Sequence, residues 1–369
     1  MKKTILATAI AGALGTVAMG AQAATVYNQD GTKLDVYGNV QIGVGSFKTD
    51  IQDDGSVDSE SDIFDNGSTV GFRGEHVISP SLTGYFRAEF EYDADEAKNS
   101  NGLGNGDQAF LGLTGDFGDA RVGSWDPLLD DWIEDPVSNN EYFDLNDAGG
   151  QASDSNFKEG NKVAYTSPIL NGLQFSVGTQ YYGDGEDQIT VIDSLGGAGS
   201  VTTPSDSNAS FFGGLRYMVG GWTFAAVYDN LKNYKYVDST GDESDFGKQY
   251  GVNANWEATD NVRVSAKWER FDGDFASNDN VDYYGIGTRI GYGYGDVYGA
   301  YQYVDAEENA VILTSDTLVT TNGDESYNQF VLGGTYNLSS QMYVWLEGGV
   351  YDLTEDYNDG VATGVTYSF

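Results

Sequence analysis

The 369-residue chain has no Cys, one His, five Pro and only 18 Lys and Arg against 57 Asp and Glu. Without Cys there is no disulfide framework, thiolate metal site or cysteine nucleophile. The lone His76 leaves a hydrolase with one conventional proton carrier, and it sits beside the turn at Ser79-Pro80, away from the long acidic connections. Carboxylate pairs could support glycoside chemistry, but acids are so dense that any spacing occurs by chance, so no pair is evidence and no enzyme is expected. A formal charge of -39 repels a phosphate backbone, which excludes nucleic acid as a partner. After residue 23 no apolar run approaches the ~20 residues of a spanning helix. No acid run has the full ligand spacing and turn Gly of a calcium loop, so neither a metal site nor a cofactor is expected.

What the chain does have is 50 Gly and 14% aromatic residues. Gly is at nearly twice its usual ~7%, and a disordered acidic chain would lack the aromatic side chains needed to pack. Lys2 and Lys3 precede an apolar stretch from Ile5 to Ala18 that ends in Ala21-Gln22-Ala23. This reads as an export signal over residues 1–23, which leaves residues 24–369 as one exported domain.

The organisation of that domain shows best near its end. Val361, Thr363, Val365, Tyr367 and Phe369 alternate with Ala362, Gly364, Thr366 and Ser368. Likewise Val262, Val264, Ala266 and Trp268 oppose Arg263, Ser265, Lys267 and Glu269. A period of two with charge on one face means half-buried strands. Sixteen such segments start near Lys33, Thr69, Leu82, Asp107, Asp119, Asn161, Leu173, Ala209, Trp222, Gln249, Val262, Asp282, Asp296, Tyr327, Met342 and Val361. Short turns such as Gly115-Asp116-Phe117-Gly118 and Val219-Gly220-Gly221 alternate with long acidic connections at 48–66, 94–106, 126–160, 184–207, 230–247, 272–281, 305–326 and 353–360.

An even strand number with tight turns at one end and long loops at the other is the plan of a transmembrane antiparallel β-barrel in an outer membrane. Roughly 22 residues per strand and connection leave room for spanning strands of ~9–11 residues. A secreted β-sandwich or solenoid would alternate too. The outward positions, which include Phe86, Phe175, Trp222, Phe224, Trp256, Trp268, Tyr301 and Tyr303, lie often near strand ends and favour aromatic girdles at a lipid interface.

The stretch Ala24-Thr25-Val26-Tyr27-Asn28-Gln29-Asp30-Gly31-Thr32-Lys33-Leu34-Asp35-Val36-Tyr37-Gly38 resembles the opening of the general trimeric porins of Gram-negative outer membranes. So do Gly71-Phe72-Arg73-Gly74-Glu75 with Leu82-Thr83-Gly84-Tyr85, Ala109-Phe110-Leu111-Gly112-Leu113, and Asn161-Lys162-Val163-Ala164-Tyr165-Thr166-Ser167-Pro168. Tyr367 and Phe369 are similar to the family's assembly signal, read by the barrel-assembly machinery. The resemblance implies a sixteen-stranded all-β barrel, a homotrimer, passive diffusion of small hydrophilic solutes, and a third outer loop folded inward to narrow the pore.

That loop would be the longest connection, 126–160, with Asp126, Asp130, Asp131, Glu134, Asp135, Glu141, Asp144, Asp147, Asp154 and Glu159 against the single base Lys158. In the family, wall bases face the acids of this loop. Three usual base positions fall here on Asn39, Thr69 and Asp107. The remaining wall bases are Arg73, Arg87, Arg121, Lys158 and Lys162, with a second stripe of Arg216, Arg263, Lys267 and Arg289 and a wall carboxylate at Glu89. Each base of that second stripe could equally pair with a neighbouring carboxylate such as Glu257 or Glu269. Weakened bases and an acid-rich loop together predict moderate cation selectivity.

The acid runs Asp50-Ile51-Gln52-Asp53-Asp54, Asp58-Ser59-Glu60-Ser61-Asp62 and Asp242-Glu243-Ser244-Asp245 read as a solvated outer surface facing membrane lipid and lipopolysaccharide, with divalent cations as bridges or as an adaptation to high salt. Two other readings stay open. One is a substrate-specific, oligosaccharide-type porin, suggested by Trp125, Trp132, Tyr142 and Phe143, of which Trp132 and Tyr142 could equally anchor the loop. The other is a barrel whose loops serve chiefly as adhesin or phage receptor.

Overall fold

A computed structural model describes residues 23–51, 57–95, 106–133, 141–148, 160–181, 189–192, 198–202, 209–237, 242–274, 280–307, 311–314, 317–320, 326–353 and 356–369. The expected export signal up to residue 22, together with Asp53, Asp54, Glu134, Asp135, Asp154, Lys158 and Glu159, lies outside the described residues.

Sixteen strand positions form one closed antiparallel sheet. They are β1 (Thr32–Ile51), β2 (in two pieces, Val57–Asp65 and Thr69–Ser79), β3 (Leu82–Glu91), β4 (Gly106–Gly115), β5 (Gly118–Ser124), β6 (Lys162–Thr166), β7 (Leu173–Tyr181) and β8 (Ala209–Val219). Then follow β9 (Trp222–Asp229), β10 (Gly247–Thr259), β11 (Val262–Gly273), β12 (Val281–Gly291), β13 (Asp296–Ala306), β14 (Tyr327–Asn337), β15 (Met342–Tyr351) and β16 (Gly360–Ser368). Each pairs with the next, and β16 returns to β1 with Val40 opposite Tyr367 and Phe47 opposite Gly360. Reciprocal backbone bonds between Gly38 and Phe369, at 3.1 and 3.0 Å, lock the seam. The segment Ala24–Gln29 pairs with the start of β1 on the same side as β16 and extends the sixteenth position towards the short-turn end.

The alternation read from sequence sets the two faces of the wall. On β14, Gln329, Val331 and Thr335 are buried while Phe330, Leu332 and Tyr336 are exposed, Leu332 at 72%. On β8, Phe211, Leu215 and Tyr217 are exposed and Ser210 and Phe212 buried. Exposed apolar side chains on one face and mixed polar side chains on the other are what a wall between lipid and water needs. Trp222, Phe224 and Trp256 stack at the short-turn end of β9 and β10, ring centroids 5.3–5.5 Å apart, as one patch of the outer girdle.

One strand piece lies where the sequence suggested only an acidic connection. Val57–Asp65 pairs with Ile42–Ile51 and continues β2 outward, joined to its lower piece through 66–68. Charge hid its period: Asp58, Glu60 and Asp62 share a face with Phe64, while Ile63 is exposed on the opposite face. Three other long connections contribute short strands to a separate six-stranded sheet. Its order is Glu243–Asp245, Lys235–Val237, Ala198–Thr202, Ile189–Ile192, Thr317–Thr320 and Val311–Thr314.

Among the described residues the buried apolar side chains form two clusters, and both join the inner wall to the connection between β5 and β6. Trp125, Leu128, Leu129, Trp132 and Ile133 pack with Phe212, Val227, Phe271 and Tyr283. Phe143 and Leu145 pack with Tyr298, Val331, Trp345 and Tyr351. Each such side chain is worth about 1.5–3 kcal/mol when taken out of water. That is enough to hold a long connection against the wall.

Leu332 lies mid-strand on the outward face. A Leu332→Arg substitution therefore places a charge in the hydrocarbon and should cost roughly 2–4 kcal/mol in reversible folding into lipid vesicles. A barrel facing water on that side would show no penalty.

Candidate functional site

The strands that open the barrel set ionic and phenolic groups on one inner wall. Buried Asp35 on β1 accepts from Lys33 Nζ at 2.6 Å, Thr25 Oγ1 at 2.7 Å and Arg73 Nε of β2 at 3.0 Å. Arg87 on β3 donates to Tyr37 Oη at 2.7 Å and to both oxygens of Glu89 at 3.0 Å. Both guanidinium groups lie near the Tyr37 ring, at 5.8 and 5.5 Å from its centroid. Asn39, where the resemblance implies a base, donates to Thr69, a second such position, at 3.2 Å.

Further round the wall the bases meet the connection between β5 and β6. Arg121 lies 4.4 Å from the Trp125 ring centroid and 3.6 Å from the Asp131 carboxylate. Lys162 is buried and donates to the Trp125 carbonyl at 2.7 Å. Arg216 lies over Trp132 at 4.8 Å and donates to Gln174 at 2.7 Å. In the second stripe, Arg263 is in register between Glu257 and Arg289. Lys267 is buried 3.3 Å from Glu269, and Arg289 donates to Asp296 at 2.9 Å over the Tyr298 ring. Lys162 and Lys267 are thus covered rather than open to the interior.

The connection itself begins with a short helix, α1 (Leu128–Trp132), whose Asp130 is exposed and whose apolar residues are buried. The Trp132 carbonyl accepts from Asn253 of β10 at 2.9 Å. Residues 141–148 reach the far side. The Glu347 carboxylate of β15 accepts the backbone N–H groups of Glu141, Tyr142 and Phe143 at 2.9, 2.8 and 2.5 Å, and the Tyr298 hydroxyl as well. Asn146 exchanges bonds with Gln329 and donates to Tyr327, while Glu269 accepts the Ala148 N–H at 2.9 Å. A carboxylate that gathers three successive amides acts as a side-chain cap for a non-helical turn.

Of the four aromatics that suggested a sugar path, Trp125, Trp132 and Phe143 are buried as anchors, and only Tyr142 keeps an exposed ring. Glu347, which sequence reasoning missed, carried one signal: a carboxylate on the inward face of a strand whose other inward residues are Tyr343, Trp345, Gly349 and Tyr351. His76 is exposed and shares a 2.7 Å hydrogen bond with Thr32 near the short-turn end.

The loop acids are not equal charges. Burial pushes the Glu141 carboxyl from 4.5 up to about 7; the Tyr343 hydroxyl bonded to it at 3.0 Å opposes this and the charge of Glu347 adds to it. Burial also raises Asp126 and Asp131, against the pull of Lys162 on the first and Arg121 on the second. Asp130 and Asp144 are exposed to water.

Residues 7–356 match the family model described as Gram-negative porin. The chain belongs to the Gram-negative porin family. This porin is 49% identical, over the whole of both chains, to a protein from a Halomonas species named monosaccharide porin and to the major outer membrane protein of Halomonas elongata. Its fold matches that of the Salmonella typhi OmpF complex with daunomycin with a TM-score of 0.68 at 19% identity, covering 94% of this chain and 100% of that one. The porin belongs in the Gram-negative outer membrane, where its barrel forms a water-filled channel for passive diffusion of ions and small hydrophilic solutes. Family and fold indicate a channel rather than an enzyme.

Removing the Glu347 carboxylate orphans the buried Phe143 amide, which costs roughly 1–3 kcal/mol. Glu347→Ala should therefore lower the denaturation midpoint and increase open-channel current noise in planar bilayers, with the barrel's strand signal in circular dichroism unchanged. Glu141 gives a pH signature. Between about 4.5 and 7 the folded chain keeps a proton that the unfolded chain has released, so stability falls as pH rises through that window. Denaturant unfolding of wild type should show this slope, and Glu141→Gln should flatten it.

Proposed function

We propose that this porin is a general diffusion channel that favours cations, that the connection 126–160 narrows its interior, and that it works as a homotrimer. The observation that carries the charge preference is the pairing state of the groups on the inner wall. Arg73, Arg87, Arg121, Lys267 and Arg289 each have a carboxylate within 3.6 Å. Among the described residues, Asp58, Glu60 and Asp62, which line the long-loop end of β2 on the face of Phe64, have no such partner, and all three are exposed. A paired base contributes little to the potential a solute crosses, while a row of open carboxylates at the entrance concentrates cations within about a Debye length, ~8 Å.

The trimer reading is supported by membership of the family and by an apolar depression of about 1010 Å³ on the outward face of β1–β6, lined among others by Leu34, Phe86, Leu111, Leu113, Val122 and Val163. Assembly through Tyr367 and Phe369, and contact with lipopolysaccharide through divalent cations at the acidic outer surface, belong to the same reading. A sugar-specific porin is a second reading, favoured by the name of the monosaccharide porin and by the exposed Tyr142 ring. Current block by a series of sugars separates it from the general pore.

In a planar bilayer under a potassium chloride gradient, the reversal potential should report potassium favoured over chloride. The triple variant Asp58→Asn, Glu60→Gln, Asp62→Asn should bring the permeability ratio towards one. Chloride preference in wild type would overturn the reading.

A further inference from the structure

At the end of the inner segment one aromatic ring is held open to the interior on a bed of others. Tyr142 is 38% exposed, although its ring stacks on Phe47 with centroids 4.5 Å apart and planes at 23°. It leans on Phe64 at 4.4 Å and meets Phe143 edge-on at 5.1 Å. The bed is rigid because two glycines of β1 make room for it. A Cβ at Gly43 would come within 2.4 Å of the Phe64 ring, and one at Gly45 within 2.1 Å of the Phe47 ring. The backbone under Tyr142 is fixed by Glu347, so the ring's position does not depend on its own side-chain bonds.

Two carboxylates stand on the wall on the face of this aromatic bed. Asp62 is opposite Gly45 in the β1–β2 register and Glu60 opposite Phe47, both exposed on the face of Phe64. The nearby Asn66 Nδ2 gives one of its two N–H groups to the Glu141 carbonyl. Asp62 also acts on Tyr142 directly: burial raises the phenol first and the Asp62 charge adds to it. A π face with carboxylates beside it suits a ligand that is positive and has apolar surface, because a ring quadrupole and a carboxylate both attract such a cation. An alkali ion, held by its hydration shell, gains less from the ring.

We propose that Tyr142, Phe64 and Asp62 form a binding station for organic cations, of the alkylammonium class, on the path through the porin. The inference rests on the cation preference argued above and adds a substrate class to it. Tyr142 supplies the open π face, Phe64 flanks it, and Asp62 supplies the charge. The station retards organic cations relative to potassium and gives the channel a chemical preference beyond sign and size.

The test uses the full-length porin in a planar bilayer with tetraethylammonium chloride added to a potassium chloride background. Wild type should show concentration-dependent block. A cation–π contact is worth about 2- to 25-fold in affinity. The concentration that halves the current should therefore rise by that factor in Tyr142→Ala and stay near wild type in Tyr142→Phe. Asp62→Asn and Phe64→Leu, both on the barrel wall, should each raise it as well. Absence of block in wild type, an unchanged half-blocking concentration in Tyr142→Ala, or glucose block with the same dependence on Tyr142 would overturn the station. The reversal potential in the same membranes keeps the two ideas apart. Retained potassium preference with Tyr142-independent block sinks the station alone, whereas chloride preference sinks the reading on which it rests.

Discussion

A chain that crosses hydrocarbon with strands has nowhere to leave an unpaired amide, and this single requirement organises the rest of the molecule. Each unsatisfied backbone group in lipid costs several kcal/mol, so the sheet must close on itself. Closure here depends on β16 meeting β1 in register and on the Gly38–Phe369 bonds at its end. Once the ring is closed, the period of two leaves no choice about sidedness. A residue faces lipid or the interior by its parity alone, and a one-residue slip would exchange the two faces of the strand that slips.

That rigid parity explains how a long connection can be held inside without regular structure of its own. Between Trp125 and Ala148 the described segment contains one short helix, so its backbone groups need partners elsewhere. The inner wall provides them at inward positions of five strands: Asn253 on β10, Glu269 on β11, Gln302 on β13, Gln329 on β14 and Glu347 on β15. The apolar side chains of the segment then fill the gaps between these polar pegs. Hydrogen bonding sets the path, and burial of Trp125, Leu129, Trp132, Phe143 and Leu145 supplies the cohesion.

The parts of this design that follow from local pattern were legible in the sequence. Strand period, turn chemistry and sixteen starting points are nearest-neighbour properties, and strands such as Trp222–Asp229 and Met342–Tyr351 begin where the alternation begins. The outer piece of β2 was hidden because Asp58-Ser59-Glu60-Ser61-Asp62 has no apolar face to alternate with, its inward residues meeting water at the mouth. The anchors were hidden for a different reason. Glu347 lies more than 200 residues from the amides it holds, and nothing in its own neighbourhood marks it apart from other wall carboxylates. The aromatic residues of the connection were visible as a set, but which were pegs and which was open depends on packing that composition does not encode.

The charge logic of the interior also departs from a count of acids. The connection between β5 and β6 is crowded with carboxylates, yet burial raises Asp126, Asp131 and Glu141 towards neutrality, Glu141 to about 7, so a neutral solution leaves that residue near half-ionised. Burial that stabilises the segment therefore spends part of its charge. Asp130 and Asp144 are exposed positions of the connection, and the acids along the outer end of β2 are exposed on the wall. Across the interior, Arg73, Arg87 and Arg289 each meet a carboxylate at hydrogen-bond distance. The field a solute meets is then set by how the charges are paired and how deeply they are buried, which a count of acids and bases along the chain does not give.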